Sequence, residues 1–303
     1  MAGDRVYDTV VVGGGPAGLS AGLVLGRCMR HALLCDDGRY RNARSDALHC
    51  YMGHDGIHPA ELLDRARSQL KPYDTIAIVG SSVTGIKKDD HCFAVAFKTG
   101  ASARARSIIV ATGVVDELPA IPGIKALFGK SVHVCPYCDG WEHRNAPVAV
   151  YGRGDKGTNF AMLLRQWTDD LVICTDGHPL SAEQEDRLRR RGVAVREQAI
   201  DSLMEKNGCL KAICFKDGEA LPRRALFFTT DQHPRSPLLE GVGCAYDEKG
   251  GLACDGDGKT NIPGVYVAGD VSRDVQLAII AAAEGARAAL AVNKYLLDQD
   301  LKD

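Results

Sequence analysis

At 303 residues the chain is long enough for two domains of ordinary size, each with its own core. Hydrophobic residues at 45%, charged residues at 25% and 33 glycines describe a globular protein with many tight turns. With 37 basic against 39 acidic residues the net charge is -2, so no long-range field draws the chain to nucleic acid or to an anionic membrane surface.

The first residues, MAGDRVYDTVVVGGG, are charged and then at once strand-like, leaving no room for a basic, apolar and small-residue secretion signal. The longest apolar stretch, about nine residues around LAIIAAA, is far too short to span a bilayer. A cytoplasmic location without a membrane partner is expected. Eleven cysteines is a high and odd number for a compartment that keeps thiols reduced. Cys35, Cys174, Cys209 and Cys214 lie in apolar strand-like runs and are expected to be buried small hydrophobes.

In chain order, the first element is the β-branched run YDTVVV, followed by the turn GGGPAG at 13–18 and the helical pattern LSAGLVLGRC. Gly13, Gly15 and Gly18 form G-x-G-x-x-G: the first glycine makes the turn, the second admits a pyrophosphate to the backbone, and the third lets helix and strand pack. A second strand, HALLCDD, ends at Asp36, 18 residues beyond Gly18, where a ribose hydroxyl would be met. The run IIVATG at 108–113 is a further strand with a tight turn, and Pro119 and Pro122 follow it.

Next comes HVCPYCDGWEHR at 133–144, then PVAVY, the turn GRGDKG at 152–157, the helix TNFAMLLRQW and the strand DLVICTD, a second βαβ unit. The basic run DRLRRRG at 186–192 reads as a solvated helix face. Pro234 and Pro237 mark a second crossing point, and GVYVAGD at 264–270 is a strand and loop before a long alanine-rich helix. The pattern predicts an α/β fold of two Rossmann-like, three-layer dinucleotide-binding domains, the second inserted into the first. Residues 1–115 and 236–303 form the discontinuous first domain and 116–235 the inserted one.

His133, Cys135, Cys138 and His143 could be zinc ligands, but four ligands within eleven residues is poor geometry for a site that joins two separated pairs. A structural disulfide does not suit a reducing compartment. A redox pair is the remaining reading: thiols three positions apart at a helix start can close a disulfide, one as a thiolate and the other resolving the mixed disulfide. Asp139 and His143 are the groups within reach to move the proton.

GGGPAG, ATG and the late G-x-Y-x-A-G-D resemble the FAD-binding segments of the flavoprotein disulfide reductases, over essentially the whole chain. That resemblance implies FAD held by Gly13, Gly15, Pro16, Ala17, Gly18, Asp36, Arg41, Asn42, Val83, Ala111, Thr112, Gly113, Gly269, Asp270, Gln276, Leu277 and Ala278. A C-x-x-C-D-G motif just before the second glycine turn resembles the low-molecular-weight thioredoxin reductases. By that resemblance Cys138 would face the flavin, Cys135 would attack an external disulfide and Asp139 would donate the proton. A homodimer, and a thioredoxin-like protein or small-molecule disulfide or dithiol as substrate, are implied in the same way.

The chain departs from those reductases where they carry the basic H-R-R-x-x-x-R stretch for the NADPH 2′-phosphate. Thr175, Asp176, Gly177 and Ser181 stand there instead, leaving no cation. Gly152, Gly154 and Gly157 keep a nicotinamide dinucleotide possible, and Asp176 suits the free ribose of NADH better than a phosphate. Three enzymatic readings follow: a reductase fed by NAD(P)H; a dithiol oxidase, since CPYCDGWE and RYRNARSDALHCYMGHDG resemble the gliotoxin and holomycin oxidase branch; and a reductase fed by a protein donor such as ferredoxin. A non-enzymatic redox sensor is the reading from another class.

Overall fold

The computed structural model describes residues 5–89, 92–229, 231–235, 238–248, 250–272 and 275–302. Ser236 and Pro237, at the expected second domain crossing, lie outside the described residues. The chain divides into two compact units, one of residues 1–43, 50–115 and 232–303, the other of residues 44–49 and 116–231.

The first unit is built from β1 (Val6–Val12), α1 (Pro16–Arg27), β2 (Ala32–Cys35), α2 (Pro59–Leu70), β3 (Ile76–Val79), β4 (Val83–Asp89), β5 (Cys92–Phe97), β6 (Ser102–Val110) and β7 (Val114–Asp116). The second follows with α3 (Ile124–Leu127), β8 (Val132–His133), α4 (Pro136–Asp139), β9 (Val148–Tyr151), α5 (Gly154–Leu164), β10 (Leu171–Cys174), α6 (Ala182–Arg190), β11 (Ala194–Arg196), β12 (Ile200–Lys206), β13 (Cys209–Phe215), β14 (Ala220–Pro222) and β15 (Ala225–Phe228). The chain then returns to the first unit through β16 (Gln232–Pro234), β17 (Val265–Val267) and α7 (Ala278–Asp300).

The first sheet runs β3-β2-β1-β6-β5-β4, with β17 beside β6. Strands β1, β2, β3, β6 and β17 are parallel, and β4 and β5 form an antiparallel meander. The VVV of β1 is buried on both faces, which is why a central parallel strand reads as an unbroken apolar run. Val10 and Val12 point into a core with Phe93, Val95 and Val267, while Val11 points the other way onto Leu34, Ile109, Ala17 and Val292. Each such buried side chain contributes roughly 1.5–3 kcal/mol. Thr9 and Ser107, both fully buried and paired in register across β1 and β6, satisfy each other through a 2.8 Å hydroxyl hydrogen bond.

Helix α7 lies against α1 as well as on the sheet. A Cβ at Gly285 would fall 2.0 Å from the Ala17 carbonyl oxygen, so the small residues of α7 set how closely the two helices approach.

The second unit repeats the plan. Five parallel strands run β11-β10-β9-β15-β8. Helices α5 and α6 cover one face, over Val150, Ile173 and Phe227. The antiparallel β12-β13-β14 sheet covers the other, over Ala149, Val172, Leu226 and Phe228. Both units are thus Rossmann-like and three-layered.

Cys35 and Cys174 are buried as expected, and burial pushes both thiols up to about 12. Cys209 and Cys214 are not: Cys209 is exposed and Cys214 half-buried. The reason is the Asn207-Gly208 turn, which places Cys209 at the turn end of a hairpin opposite Lys206, while Leu210, Ala212 and Ile213 take the inward positions. The basic run on α6 is solvated as read, with Arg189 and Arg190 paired to Asp186 on the same helix.

Candidate active site

Strand β8 ends at His133, which is 5% exposed. Two residues on, Cys135 is the N-cap of the single-turn helix α4 and forms a disulfide with Cys138, the Cα atoms 5.3 Å apart. The Cys138 N–H donates to Cys135 Sγ at 3.1 Å, so the Cys135 sulfur carries a backbone donor. A Cβ on Gly140 would come within 2.9 Å of the Trp167 indole; the glycine of the motif lets this segment lie on that ring.

Sequence reasoning offered Asp139 and His143 as alternative proton groups; the structure joins them. His133 Nδ1 lies 3.2 Å from Asp139 Oδ1, and its Nε2 lies 3.0 Å from His143 Nε2. Both rings pack on Phe227 of β15. Burial pushes His143 down to about 4, helped by His133 and Arg224 and opposed by Asp139, so the ring is neutral at physiological pH. His143 Nδ1 is buried and has no partner among the described residues. Tyr137, between the two cysteines, and Trp141 are 60% and 64% exposed, and Arg144 stacks on the Trp141 ring at 4.3 Å. Residues 44–49 join this unit, with His49 Nε2 3.4 Å from Glu142 Oε1. Among the described residues no group of three or more His, Cys, Asp or Glu side chains is placed to hold a metal ion.

The residues expected around FAD lie in the first unit. Gly13 takes φ +119, and a Cβ there would sit 2.2 Å from the Ala111 carbonyl oxygen, so the first turn and the Ala111-Thr112-Gly113 turn are in contact. A Cβ at Gly15 would meet nothing within 4 Å, which leaves the turn open to a diphosphate. Pro16 starts α1, where its missing N–H costs no hydrogen bond, Ala17 is buried against Gly269, and Gly18 meets the Gly13 carbonyl. Thr112 Oγ1 is buried without a partner among the described residues, a polar atom suited to a ligand. Arg41 Nη1 donates to Asp270 Oδ2 and to Gln276 Oε1, both at 2.8 Å, drawing three expected residues together, with Asn42 half-buried in the same turn. Gln276 also pairs with Gln232. Leu277 caps α7 and Ala278 begins it. Val83 is buried in the apolar core at the start of β4. Asp36 Oδ2 accepts from Tyr40 Oη at 2.6 Å and Arg67 Nη2 at 3.0 Å, and Oδ1 from the Gly38 N–H at 2.9 Å, leaving lone pairs for a further donor.

In the second glycine turn Gly152 and Gly157 pack on each other, while Gly154, at φ +53, opens α5 with free space on its Cβ side. Asp176 follows β10 in a left-handed turn. Its Oδ1 accepts from the Ile200 N–H at 2.8 Å, and its Oδ2 accepts from Arg153 Nη2 at 3.0 Å and Tyr151 Oη at 3.3 Å. No cation stands at the four positions 175, 176, 177 and 181, as read from the sequence, but Arg153 reaches Asp176 from inside the glycine turn.

A family model described as pyridine nucleotide-disulphide oxidoreductase matches residues 7–285. The chain belongs to this family. A probable thioredoxin reductase of Arthroderma benhamiae is 34% identical to this oxidoreductase over 303 aligned residues, covering 88% of this chain and 74% of the relative. Thioredoxin reductase tcpT of Claviceps purpurea is 32% identical, covering 89% and 88%. Among solved structures, HlmI superposes with a TM-score of 0.95 at 33% identity, covering 100% of this chain and 96% of that one. A putative thioredoxin reductase TrxB from Bacillus anthracis gives 0.93 at 31%, covering 97% and 99%. This oxidoreductase is a thioredoxin reductase-like flavoprotein disulfide oxidoreductase, a family for which FAD is the expected cofactor.

Sequence reasoning missed three groups in this oxidoreductase. His133 was weighed only as a metal ligand, although the two-residue spacing to Cys135 in extended chain puts both on one side. Arg153 lies inside the glycine turn, where only its proximity to a later strand end reveals its use. Arg224 precedes β15, and no local pattern links it to His143.

Proposed function

We propose that Cys135 and Cys138 are the redox pair through which this flavoprotein exchanges electrons with a protein or small-molecule disulfide or dithiol. The observation that supports it most is the Cys135–Cys138 bond itself, beside an acid and two histidines that can hold its protons. The open Gly15 backbone, the unpartnered Thr112 hydroxyl and the Arg41, Asp270 and Gln276 cluster fit FAD in the first unit. Bound there, FAD supplies a two-electron donor and acceptor for the cysteine pair. Cys135, whose sulfur carries the backbone donor, makes the mixed disulfide with the substrate; Cys138 resolves it; Asp139 and His143 hold and return the protons.

NAD(P)H enters this reading as the electron source, with Gly152, Gly154 and Gly157 along the diphosphate and Asp176 toward the adenosine ribose. The Asp176 carboxylate competes with a 2′-phosphate for Arg153, which favours NADH. A homodimer fits Leu290 and Leu297, exposed along one side of α7, with the exposed Leu301 just beyond its end. Buried thiols kept out of disulfides, Cys35 and Cys174 among them, suit the cytoplasm, and no described helix is long and apolar enough to cross a membrane.

A second reading, a dithiol oxidase acting on a small apolar molecule, is favoured by the exposed Tyr137 and Trp141 rings beside the disulfide. An anaerobic titration of the purified protein with NADH, NADPH and a dithiol, following the visible flavin band, separates the two. Bleaching by NADH, and more weakly by NADPH, supports the reductase; bleaching by the dithiol alone supports the oxidase. A flavin that none of them bleaches overturns both.

A further inference from the structure

We infer that His133 is a positioning residue that joins Asp139 and His143 into one proton-sharing chain serving the Cys135–Cys138 pair. The inference rests on the redox role proposed for that pair, and adds a residue and a proton path to it.

The argument is one of donors and acceptors. Asp139 Oδ1 is an acceptor, so the His133 Nδ1 that faces it at 3.2 Å carries the hydrogen. A neutral His133 then has a bare Nε2, which at 3.0 Å can only accept, and the hydrogen in that contact belongs to His143 Nε2. A His143 protonated at Nε2 and neutral overall has a bare Nδ1. That atom is the one left buried without a partner among the described residues. The charged and titratable groups that act on His143 are His133, Asp139 and Arg224: burial is the largest influence and lowers its pKa, His133 lowers it only when itself protonated, Arg224 lowers it, and Asp139 raises it. His133 itself is clamped by burial in β8 and by the Phe227 ring at 5.2 Å.

The chain therefore has a base at one end and a carboxylate at the other. In exchange with a dithiol, one substrate thiol gives its proton to His143 Nδ1, and its thiolate bonds to Cys135 Sγ. The Cys135–Cys138 bond breaks, and its electron pair goes to Cys138. The second substrate thiol then attacks the first sulfur and passes its proton to the departing Cys135 sulfur, which closes the substrate disulfide and releases Cys135 as the thiol. Two electrons and two protons pass from substrate to the cysteine pair. The proton taken at His143 moves Nε2 to Nε2 and Nδ1 to Oδ1, so Asp139 receives it for delivery to the Cys138 thiolate.

The test uses flavin-loaded, full-length protein labelled with ¹⁵N-histidine, with His133→Phe, which deletes both polar contacts, and His133→Asn, which keeps a donor toward Asp139 but no group at Nε2. Nitrogen shifts from long-range proton correlation read the His143 tautomer. Dithiothreitol exchange at Cys135 and Cys138, stopped by acid and read by alkylation, gives the rate against pH. Expected are a wild-type His143 protonated at Nε2, loss of that single tautomer in both variants, and exchange about 10²-fold slower with an altered pH profile. An unchanged tautomer and pH profile in a folded variant overturns the inference. Should His133→Phe not fold, His133→Asn carries the test. Wild-type cysteines that do not react with the dithiol at any pH overturn the redox role instead, and the tautomer measurement still decides the histidine chain.

Discussion

Arg153 Nη2 donates to Asp176 Oδ2 at 3.0 Å, so the carboxylate at the end of β10 and a cation from the glycine turn before α5 neutralise each other. A 2′-phosphate would have to take Arg153 from Asp176, whereas a ribose hydroxyl can add to the carboxylate without breaking the pair. Asp176→Asn keeps the acceptor for the Ile200 N–H and removes the competing charge. The expected result is an NADPH affinity raised about 10-fold relative to NADH, the size of one charge-assisted hydrogen bond. Anaerobic binding titrations of both nucleotides check it; an unchanged ratio means Arg153 does not meet the phosphate.

Cys135→Ser and Cys138→Ser remove opposite ends of one disulfide and leave the first unit untouched. Both variants should lose turnover with disulfide or dithiol substrates and retain their flavin absorbance. A turning-over Cys138→Ser protein would move the redox role away from this pair.

Thr112→Val replaces a buried hydroxyl that has no partner within the described chain by an isosteric methyl. Without FAD the change should be neutral or slightly stabilising, because a buried group without a partner is removed. With FAD it should weaken binding by about 1 kcal/mol, close to 5-fold, if the hydroxyl bonds the cofactor. Thermal melts of apo and FAD-loaded protein, with a flavin release assay, read the two effects separately; equal destabilisation in both forms would make Thr112 a packing residue.

The fold was readable because its signals are local. VVV before GGGPAG and PVAVY before GRGDKG each state strand, turn and helix within a few residues, and the two-residue alternation of Val10, Val11 and Val12 already encodes two faces. The Cys135–Cys138 spacing and the adjoining Asp139 are local in the same way. What stayed hidden depends on contacts between distant segments. Arg153 reaches Asp176 only because β9 and β10 lie side by side, and Arg224 acts on His143 across a large sequence gap. The six residues 44–49 leave the first unit for the second with no change of composition to mark it. Cys209 shows the reverse error: an apolar local run looked buried until the Asn207-Gly208 turn fixed its place at a hairpin end.

His143 also makes stability depend on pH in a stated direction. Its ordinary value of 6.5 applies to the unfolded chain, whereas burial first, then His133 and Arg224, hold it at about 4 in the folded protein. Between those values the unfolded chain binds the proton and the folded chain does not, so acid favours unfolding. This contribution is complete above pH 6.5, is lost progressively as pH falls toward 4, and levels off below it. Because the ring is only partly enclosed, solvent screening reduces the effect to on the order of 1 kcal/mol. His143→Gln removes the titrating group, so urea midpoints of the variant should fall less steeply from neutral pH to pH 4 than those of the wild type. Parallel slopes over that interval would show that His143 protonates freely in the folded protein, and that its ring is not held neutral beside His133.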